Sequence, residues 1–290
     1  MARILMGKPV ADAMVGKLAA RVSGLRAAGI TPALAIIRVG ERDDDLSYER
    51  GALKRCDAVG IRVQSHVLPA SCTQEDLMAV ISQVNADSSV HGCLMFRPLP
   101  EHLDEDAACE ALDPAKDVDG ITGSSLFGVF ANQPLGFPPC TADACMRMLD
   151  HYGVELSGSN VVVLGRSLVV GKPVSMMLQA ENATVTMCHT RTRNLASICA
   201  NADVLVAAVG RARTVGADFV REGQVVIDVG INWDEAAGRF CGDADFAAVE
   251  PIVGAITPVP GGVGSVTTAV LAAHVVEAAE RACMHQGAAE

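Results

Sequence analysis

The stretch "SYERGALKRC", residues 47–56, contains a tyrosine and a lysine, two side chains that can transfer protons. Tyr48 and Lys54 are six residues apart, and on a helix six steps of about 100° separate them by roughly 240°. Ala52, one turn after the tyrosine, shares its face and has no polar group. The spacing therefore predicts no tyrosine–lysine pair, unless a local shift at Gly51, which weakens a helix by roughly 1 kcal/mol relative to alanine, brings Lys54 round.

A second candidate site is the glycine turn in "VVVLGRSLVVGKP", residues 161–173. Gly165 ends an apolar strand, and Gly171 follows six residues later at the start of a predicted helix. A helix amino terminus offers N–H groups to phosphate, and an arginine in the turn, here Arg166, binds phosphate through two hydrogen bonds. The spacing is not GxGxxG, so the pattern fits either a nucleotide site or a plain strand-to-helix turn.

The end of the next predicted strand, "TMCHTRTRN", bears on which nucleotide would bind. An NAD site usually has an acid at this place for the ribose hydroxyls, whereas this chain has Thr190, Arg191 and Arg193. Arginines in place of a carboxylate favour the 2′-phosphate of NADP. The alternative is a solvated basic strand end with no ligand.

Strands and helices alternate along the chain, which predicts an α/β fold with mostly parallel sheets. Buried strands are expected at 33–40, 61–68 and 91–96, and Thr73 with Asp76 is expected to cap a helix that begins between the last two. The Gly/Pro-rich end of residues 101–139 is interpreted as a domain junction. We expect one domain of residues 1–140 and 266–290, onto which the last helix packs back, and a Rossmann-like domain of residues 141–265.

Composition limits the classes of partner. The net charge is −11 over 290 residues, which argues against nucleic acid or an anionic membrane as the main partner. The amino terminus lacks the apolar run of a signal peptide. The ten cysteines form no CxxC pair and no zinc-type cluster, so we expect reduced thiols, no metal site and a cytoplasmic protein.

Four motifs occur in a characteristic order: "KDVDG", "GRSLVVGKP", "VGIN" and "TPVPGGVGSVTT". With them the sequence resembles the methylenetetrahydrofolate dehydrogenase/cyclohydrolase family over nearly its whole length. The resemblance implies an amino-terminal α/β folate domain, a Rossmann-like NADP-binding domain and a homodimer. It also implies oxidation of 5,10-methylene-tetrahydrofolate by NADP, followed in most members by hydrolysis of the methenyl product to 10-formyl-tetrahydrofolate.

The resemblance also implies site residues. Gly165, Arg166 and Ser167 would contact NADP, together with the backbone at Ile231, and Thr190 would lie near the 2′-phosphate. The folate would meet the residues that match the family's substrate site: Tyr48, Phe96, Arg97, Asp119, Pro258, Pro260, Gly261 and Gly262. Of these, Tyr48 would stack along the folate and Asp119 would bind the pterin ring, and both are expected to serve catalysis. Structural alternatives are a turn cap at Asp119 and a rigid connector at residues 258–264.

Two departures from the family pattern affect the second reaction. The family has Y-x-x-x-K where this chain has Tyr48 and Ala52, and it has a glutamine where this chain has Phe96. The lysine is the family's group for water activation, so cyclohydrolase activity is expected to be weak or absent. Arg97 could supply positive charge, but a guanidinium is a poor proton shuttle. Ser265 and Val266 also differ from the family pattern at the folate edge.

The sequence therefore predicts an NADP-dependent methylenetetrahydrofolate dehydrogenase. One alternative is an NADP oxidoreductase with an altered, pterin-like substrate, suggested by Phe96, Arg97, Ser265 and Val266. The other is a non-catalytic NADP-binding paralogue, which the intact "KDVDG" and "PVPGGVG" motifs argue against.

Overall fold

The computed structural model describes residues 1–235 and 237–287, with side chains described only up to residue 284 at the carboxyl end. The strands are β1 (Arg3–Ile4), β2 (Ala33–Val39), β3 (Arg62–Leu68), β4 (Gly92–Met95), β5 (Asn160–Leu164), β6 (Thr184–Cys188), β7 (Val204–Ala207), β8 (Val225–Asp228), β9 (Asn232–Asp234), β10 (Arg239–Cys241) and β11 (Ala255–Ile256). The helices are α1 (Gly7–Ala27), α2 (Asp43–Val59), α3 (Gln74–Ala86), α4 (Glu105–Ala111), α5 (Gly123–Ala131), α6 (Cys140–His151), α7 (Gly171–Ala180), α8 (Leu195–Ala200), α9 (Phe246–Val249) and α10 (Thr267–Gly287).

The first sheet has three parallel strands in the order β3-β2-β4. Every residue of the central strand β2 is buried, as expected for a parallel strand covered on both faces. One face of the sheet packs against apolar residues of α3 and α4, among them Leu77, Ile81 and Cys109. Thr73 and Asp76 form the expected capping box at the start of α3, so this prediction is confirmed.

The second sheet has six parallel strands in the order β1-β11-β8-β7-β5-β6. From β5 the chain goes outward to β6 and then returns to the other side of β5 to form β7. This reversal of strand order is the place where open α/β sheets bind ligands, beyond the carboxyl ends of the strands. The predicted α/β class with mostly parallel sheets is confirmed; the antiparallel pair among the described strands is the short hairpin β9–β10.

The chain divides into two compact units, one of residues 1–12 and 141–267 and the other of residues 13–140 and 268–290. The expected domains differ from these units chiefly at the amino terminus, where residues 1–12 belong with the six-stranded sheet. The reason is pairing of Arg3 with Ala255 and of Ile4 with Ile256, which a two-residue strand does not reveal in the sequence. Residues 288–290 of the expected first domain lie outside the described residues.

Helix α5 is a second element that the sequence did not indicate. Its residues lie in the stretch interpreted as a Gly/Pro-rich junction, yet Thr122 caps it by accepting a hydrogen bond from the Ser125 N–H. Asn132 ends the helix in the left-handed conformation, which asparagine tolerates well. Within the described ranges, no helix has the length and apolar character needed to cross a membrane.

Candidate active site

Helix α2 keeps a regular register through Gly51, so no local shift moves Lys54. The buried positions of the helix are Asp45, Glu49, Ala52, Cys56 and Val59. Ala52 is fully buried, Tyr48 is half-buried and Lys54 is exposed. One turn after the tyrosine there is therefore a methyl group, in agreement with the spacing in the sequence.

A buried ion pair fixes α2 on the sheet. The Arg38 guanidinium on β2 donates to Glu49 Oε2 at 2.9 Å, and both side chains are at most 10% exposed. Arg38 also donates to the Gly40 carbonyl, which ties the end of β2 to the helix. No spacing rule predicts this pair, but a charged residue inside an otherwise apolar strand is a signal in the sequence that could have indicated it. Glu49 follows Tyr48 directly, so the pair also limits where the tyrosine can lie.

The segment after β4 brings Phe96 and Arg97 to the same end of the sheet. The rings of Tyr48 and Phe96 meet edge to face, with centroids 6.0 Å apart and an interplanar angle of 83°. Phe96 is only 8% exposed, so an apolar ring fills the place where the resemblance implies a glutamine. Arg97 lies 3.6 Å from Glu105 Oε1, and this neutralises part of its charge.

Within "KDVDG", the first aspartate has a structural role. Asp117 is fully buried and accepts hydrogen bonds from the N–H groups of Ile121 and Thr122 and from the Ser125 hydroxyl. The ammonium of Lys116 donates to the carbonyls of three residues at the carboxyl end of α3, namely Val84, Asn85 and Asp87. Both residues hold the turn, and neither is available to a ligand.

Asp119 is the carboxylate of this turn that has a perturbed pKa. Burial raises its pKa to about 6, against the effects of a hydrogen bond from Cys140 and of the Arg97 charge. Its neighbours Cys140 and His274 both lie against Val118: Cys140 Sγ is 3.3 Å and His274 Nδ1 is 2.9 Å from the Val118 carbonyl oxygen. The ring of Tyr48 thus contacts that of Phe96, and the charge of Arg97 acts on the carboxylate of Asp119.

The expected nucleotide turn follows β5 at the point where the strand order reverses. Gly165 has φ of 138°, and a Cβ there would lie 2.1 Å from the Ala208 carbonyl oxygen after β7. A Cβ at Gly171 would lie 2.4 Å from the Gly165 oxygen. Both glycines therefore permit close approach of backbone. The Ser167 hydroxyl accepts from the N–H groups of Val170 and Gly171, whereas Arg166 is exposed.

The chain after β6 forms a local turn that presents basic residues to solvent. Thr192 Oγ1 accepts from the His189 N–H, and His189 Nδ1 accepts from the Arg191 N–H. These bonds shape the turn, while Thr190, Arg191 and Arg193 are exposed. Because β5 and β6 are adjacent and parallel, their carboxyl ends bring this turn and the Gly165 turn to the same edge of the sheet.

The loop of residues 258–264 has its backbone fixed at several points. The Gly7 N–H donates to the Gly261 carbonyl at 2.8 Å, and a Cβ at Gly7 would lie 2.1 Å from the Gly262 oxygen. Gly261 has φ of 105°, a conformation that favours glycine. A Cβ at Gly264 would lie 3.3 Å from Ile231, whose side chain is 63% exposed.

Two buried carboxylates, which no sequence pattern had indicated, hold the turns that follow β7, β8 and β10. Asp228 accepts from the N–H groups of Gly230, Asp243 and Ala244. Asp243 accepts from three N–H groups of residues 209–211 and from the Asn232 amide. Burial raises the pKa of Asp228 to about 7, against the effect of its backbone hydrogen bonds. An aspartate at the end of an apolar strand, as in "VVIDVG", is the signal that could have found the first of them.

Two family models match successive parts of the chain. Residues 5–119 match the catalytic domain of tetrahydrofolate dehydrogenase/cyclohydrolase, and residues 139–283 match its NAD(P)-binding domain. Among similar proteins, the bifunctional protein FolD of Carboxydothermus hydrogenoformans is 54% identical over 281 residues, which cover 97% of this chain and 98% of the relative.

Solved structures agree with these matches. The bifunctional FolD of Campylobacter jejuni superposes with a TM-score of 0.94 at 36% identity, covering 97% of this chain and 99% of that chain. The dehydrogenase-cyclohydrolase of Trypanosoma brucei, solved with NADP cofactor and inhibitor, gives a TM-score of 0.90 at 36% identity, covering 97% and 98% of the two chains. With both domains of the family model matched in order and relatives aligned over nearly its full length, the chain belongs to the tetrahydrofolate dehydrogenase/cyclohydrolase family.

Proposed function

We propose that this protein oxidises 5,10-methylene-tetrahydrofolate to 5,10-methenyl-tetrahydrofolate with NADP as the oxidant. The observation that carries the proposal is the combination of a complete glycine turn at the reversal of strand order with Asp119, a half-buried carboxylate with a raised pKa. Asp119 lies in the unit of residues 13–140 and 268–287, called the folate unit below. Family membership and the NADP-bound relative from Trypanosoma brucei support it further.

The residues around the glycine turn fit NADP. A side chain at Gly165 would collide with the Ala208 carbonyl, so only glycine lets this turn pack directly beside the end of β7. Arg166 is the candidate for the pyrophosphate, and Thr190, Arg191 and Arg193 are candidates for the 2′-phosphate, because guanidinium groups bind phosphate oxygens through paired hydrogen bonds. NADP, when bound, supplies the hydride acceptor.

Replacement of an arginine tests the cofactor assignment. We expect Arg191→Ala to raise the KM for NADP by about 10- to 100-fold, the usual effect of losing a charged hydrogen bond, and to change the KM for NAD little. The matched control is Arg239→Ala, an exposed arginine on the β10 strand of the same unit. An equal loss with both cofactors would contradict the 2′-phosphate assignment.

In the folate unit, Asp119 is the group that would accept hydrogen bonds from the pterin amino group and ring N–H. The contacting rings of Tyr48 and Phe96 would form an apolar wall for the substrate. Hydride transfer needs the two reactants held in contact, and the substrate's own nitrogen stabilises the developing cation. No side chain of the protein has to take a proton in this step.

We further propose that cyclohydrolase activity is weak or absent. Hydrolysis of the methenyl bridge needs an activated water and a group that moves a proton, which contributes about 10²–10⁴-fold to the rate. Ala52 has no such group, Lys54 is exposed, and Arg97 is engaged by Glu105. Phe96 also lacks the hydrogen-bonding groups of the family's glutamine.

A spectrophotometric assay of the purified protein tests both proposals together. With methylene-tetrahydrofolate and NADP, we expect the methenyl product, which absorbs in the near ultraviolet, to accumulate and then decay at the rate measured without enzyme. Prompt decay of the methenyl product during turnover would contradict the proposed loss. No formation of NADPH would contradict the dehydrogenase itself.

A second candidate function is supported by one observation. The Tyr48–Phe96 contact makes this wall more apolar than the family's glutamine would, which supports an NADP oxidoreductase with a different pterin-like substrate. Competition of other reduced pterins against methylene-tetrahydrofolate distinguishes the two. Protection from thermal unfolding by tetrahydrofolate also separates both from a non-catalytic NADP-binding paralogue.

Two further proposals concern assembly and location. We propose a homodimer, as the family resemblance implies; β3 is an open edge strand, with Val67 51% exposed, and could serve as an interface. Light scattering after size-exclusion chromatography tests it, and a monomer mass would contradict it.

We propose a cytoplasmic location because eight of the ten free cysteines are buried thiols, a usage typical of reducing compartments; cell fractionation tests this.

A further inference from the structure

A cavity of about 420 Å³ lies in the folate unit, away from the residues assigned to folate or NADP. It is found at the amino-terminal ends of the three-stranded sheet: Arg62 begins β3, and His91 directly precedes β4. Tyr48 and Phe96 meet near the carboxyl ends of the same sheet. Because the strands are parallel, the cavity and the candidate folate site are at opposite ends of the sheet.

Polar groups in the cavity wall are mainly hydrogen-bond donors. The Arg62 guanidinium is held beside the cavity by bonds from Nη2 to the Ser89 hydroxyl at 2.9 Å and to the Ser89 carbonyl at 3.1 Å. These two bonds use one terminal nitrogen, and a guanidinium has five N–H groups. The exposed hydroxyl groups of Ser88 and Ser89 also line the cavity.

The tautomer of His91 is fixed by the backbone. The Ala33 N–H donates to His91 Nδ1 at 3.2 Å, so the neutral imidazole carries its proton on Nε2 and offers a donor there. Burial lowers the pKa of His91, and the charges of Lys116 and Arg62 lower it further, against the effect of Asp87. The two nearby cations that disfavour a charged imidazole favour a bound anion.

The other side of the cavity is largely apolar. It is formed by Ile30 and by three small residues on one face of α10, which are Ala279, Ala282 and Cys283. A ligand that contacts both sides therefore needs an anionic group at one end and a short hydrocarbon part at the other. The volume is within the range of small-molecule sites, about 300–1,000 Å³.

We propose that this cavity binds a small carboxylate with a short apolar chain. The carboxylate accepts hydrogen bonds from the Arg62 guanidinium and from His91 Nε2–H, and the chain packs against Ile30 and Ala282, which are both half-buried. This site is independent of the proposed oxidation, because none of its residues belongs to the folate or NADP assignments.

Protection of a cysteine provides the test. Cys283 lines the cavity, and Cys241 in the other unit is likewise half-exposed and serves as an internal control. The full-length protein is alkylated with iodoacetamide in the presence of butyrate, and the rate at each cysteine is followed by mass spectrometry. Butyramide, which has the same shape without the charge, and inorganic phosphate, which has no apolar part, are compared at equal ionic strength.

We expect butyrate to slow alkylation of Cys283 but not of Cys241, and butyramide and phosphate to have a much smaller effect. Arg62→Gln should weaken this protection by about tenfold or more, since it removes a charged hydrogen bond. The matched control is Arg26→Gln, because Arg26 is likewise an arginine bonded to a carbonyl, that of Gly60. His91→Asn retains an acceptor for the Ala33 N–H and should weaken protection without loss of the fold, as checked by circular dichroism.

Three results would overturn the proposal. The first is no protection by butyrate up to about 10 mM, tenfold above a dissociation constant of about 1 mM. The second is equal protection in Arg62→Gln and in the unchanged protein. The third is protection by phosphate or butyramide as strong as that by butyrate, because neither combines a charge with an apolar chain.

Discussion

At the level of single residues, the proposed function depends most on Ala52 and Asp119. Ala52 has no group that could move a proton, and it is fully buried. Asp119 has a pKa raised to about 6 chiefly by burial, which is typical of a carboxylate in a binding site. Ala52 bears on the proposed loss of hydrolysis, and Asp119 bears on the proposed recognition of the pterin.

Restoring the family residues should restore hydrolysis. We expect Ala52→Lys combined with Phe96→Gln to raise the rate of methenyl-tetrahydrofolate hydrolysis by about 10-fold or more, because a positioned proton-transfer group contributes about 10²–10⁴-fold. The measurement is decay of the methenyl absorbance with purified protein. The control is Leu53→Lys, which adds a lysine at the next position, one that is 38% exposed; an equal gain there would argue against a role for position 52.

The pKa of Asp119 predicts how folate binding depends on pH. The ionised carboxylate accepts the pterin hydrogen bonds, so affinity for a folate analogue should fall as the pH drops below about 6. Asp119→Asn should weaken binding by about 10- to 100-fold at pH 7.5 and remove this part of the dependence. Titration calorimetry from pH 5 to 8, a range that spans the expected midpoint, checks this prediction.

The raised pKa of Asp119 also affects the stability of the unliganded protein, and this effect has the opposite dependence on pH to that of folate binding. A carboxyl whose pKa is higher in the folded state than in the unfolded state contributes stability at low pH, and this contribution is lost as the pH rises through about 6. The difference in unfolding free energy between the protein and Asp119→Asn should follow this course. A difference that grows towards acid in favour of the variant would contradict the assigned shift.

At the scale of elements, polar side chains hold the ends of helices and strands in both candidate sites. Arg38 and Glu49 fix α2 on β2, and Lys116 binds the carboxyl end of α3. Asp228 and Asp243 accept hydrogen bonds from backbone N–H groups of the turns that follow β7 and β10. These residues support the site without belonging to the set implied for substrate or cofactor.

Lys116 offers a direct test of such a supporting role. Lys116→Met removes the donor of three carbonyls at the end of α3, and we expect a loss of about 1–3 kcal/mol in the free energy of unfolding. Urea denaturation measures it, with the exposed Lys17→Met on α1 as the control. NADP affinity should not change; a large loss of it would indicate that Lys116 acts on the cofactor site.

At the scale of the whole molecule, the chain passes between the two units more often than the sequence suggests. Residues 1–12 belong with residues 141–267, and the chain then continues into the other unit through α1. The Arg3 N–H donates to the Gly254 carbonyl and the Leu5 N–H to the Ile256 carbonyl, each at 2.8 Å. The amino terminus therefore adds a strand to the sheet of residues 141–267, the unit that contains the glycine turn.

Hydrogen exchange can test this division. Leu5→Ala should cost about 2–5 kcal/mol, and exchange should increase in β8 and β11 more than in β2 and β4. Leu77→Ala on α3, an equally buried leucine of the other unit, should show the reverse pattern. Equal deprotection of both sheets by either variant would show that the units unfold together.

Local sequence patterns were enough to predict the α/β class, the glycine turn, the basic end of β6 and the absence of a lysine one turn after Tyr48. Each of these depends on local spacing, on the period of apolar residues or on a contiguous motif. The capping box at Thr73 belongs to the same group, because its partners are three residues apart.

Other features depend on contacts between residues that are distant in the chain, and these features became apparent only in the folded structure. It separated Asp117, whose bonds are internal, from Asp119, whose pKa is raised chiefly by burial. It paired β1 with β11 across about 250 residues of sequence and brought Arg62 and His91 to one cavity. Spacing along the chain says nothing about these contacts, because burial and hydrogen-bond partners arise only when the sheets and helices pack.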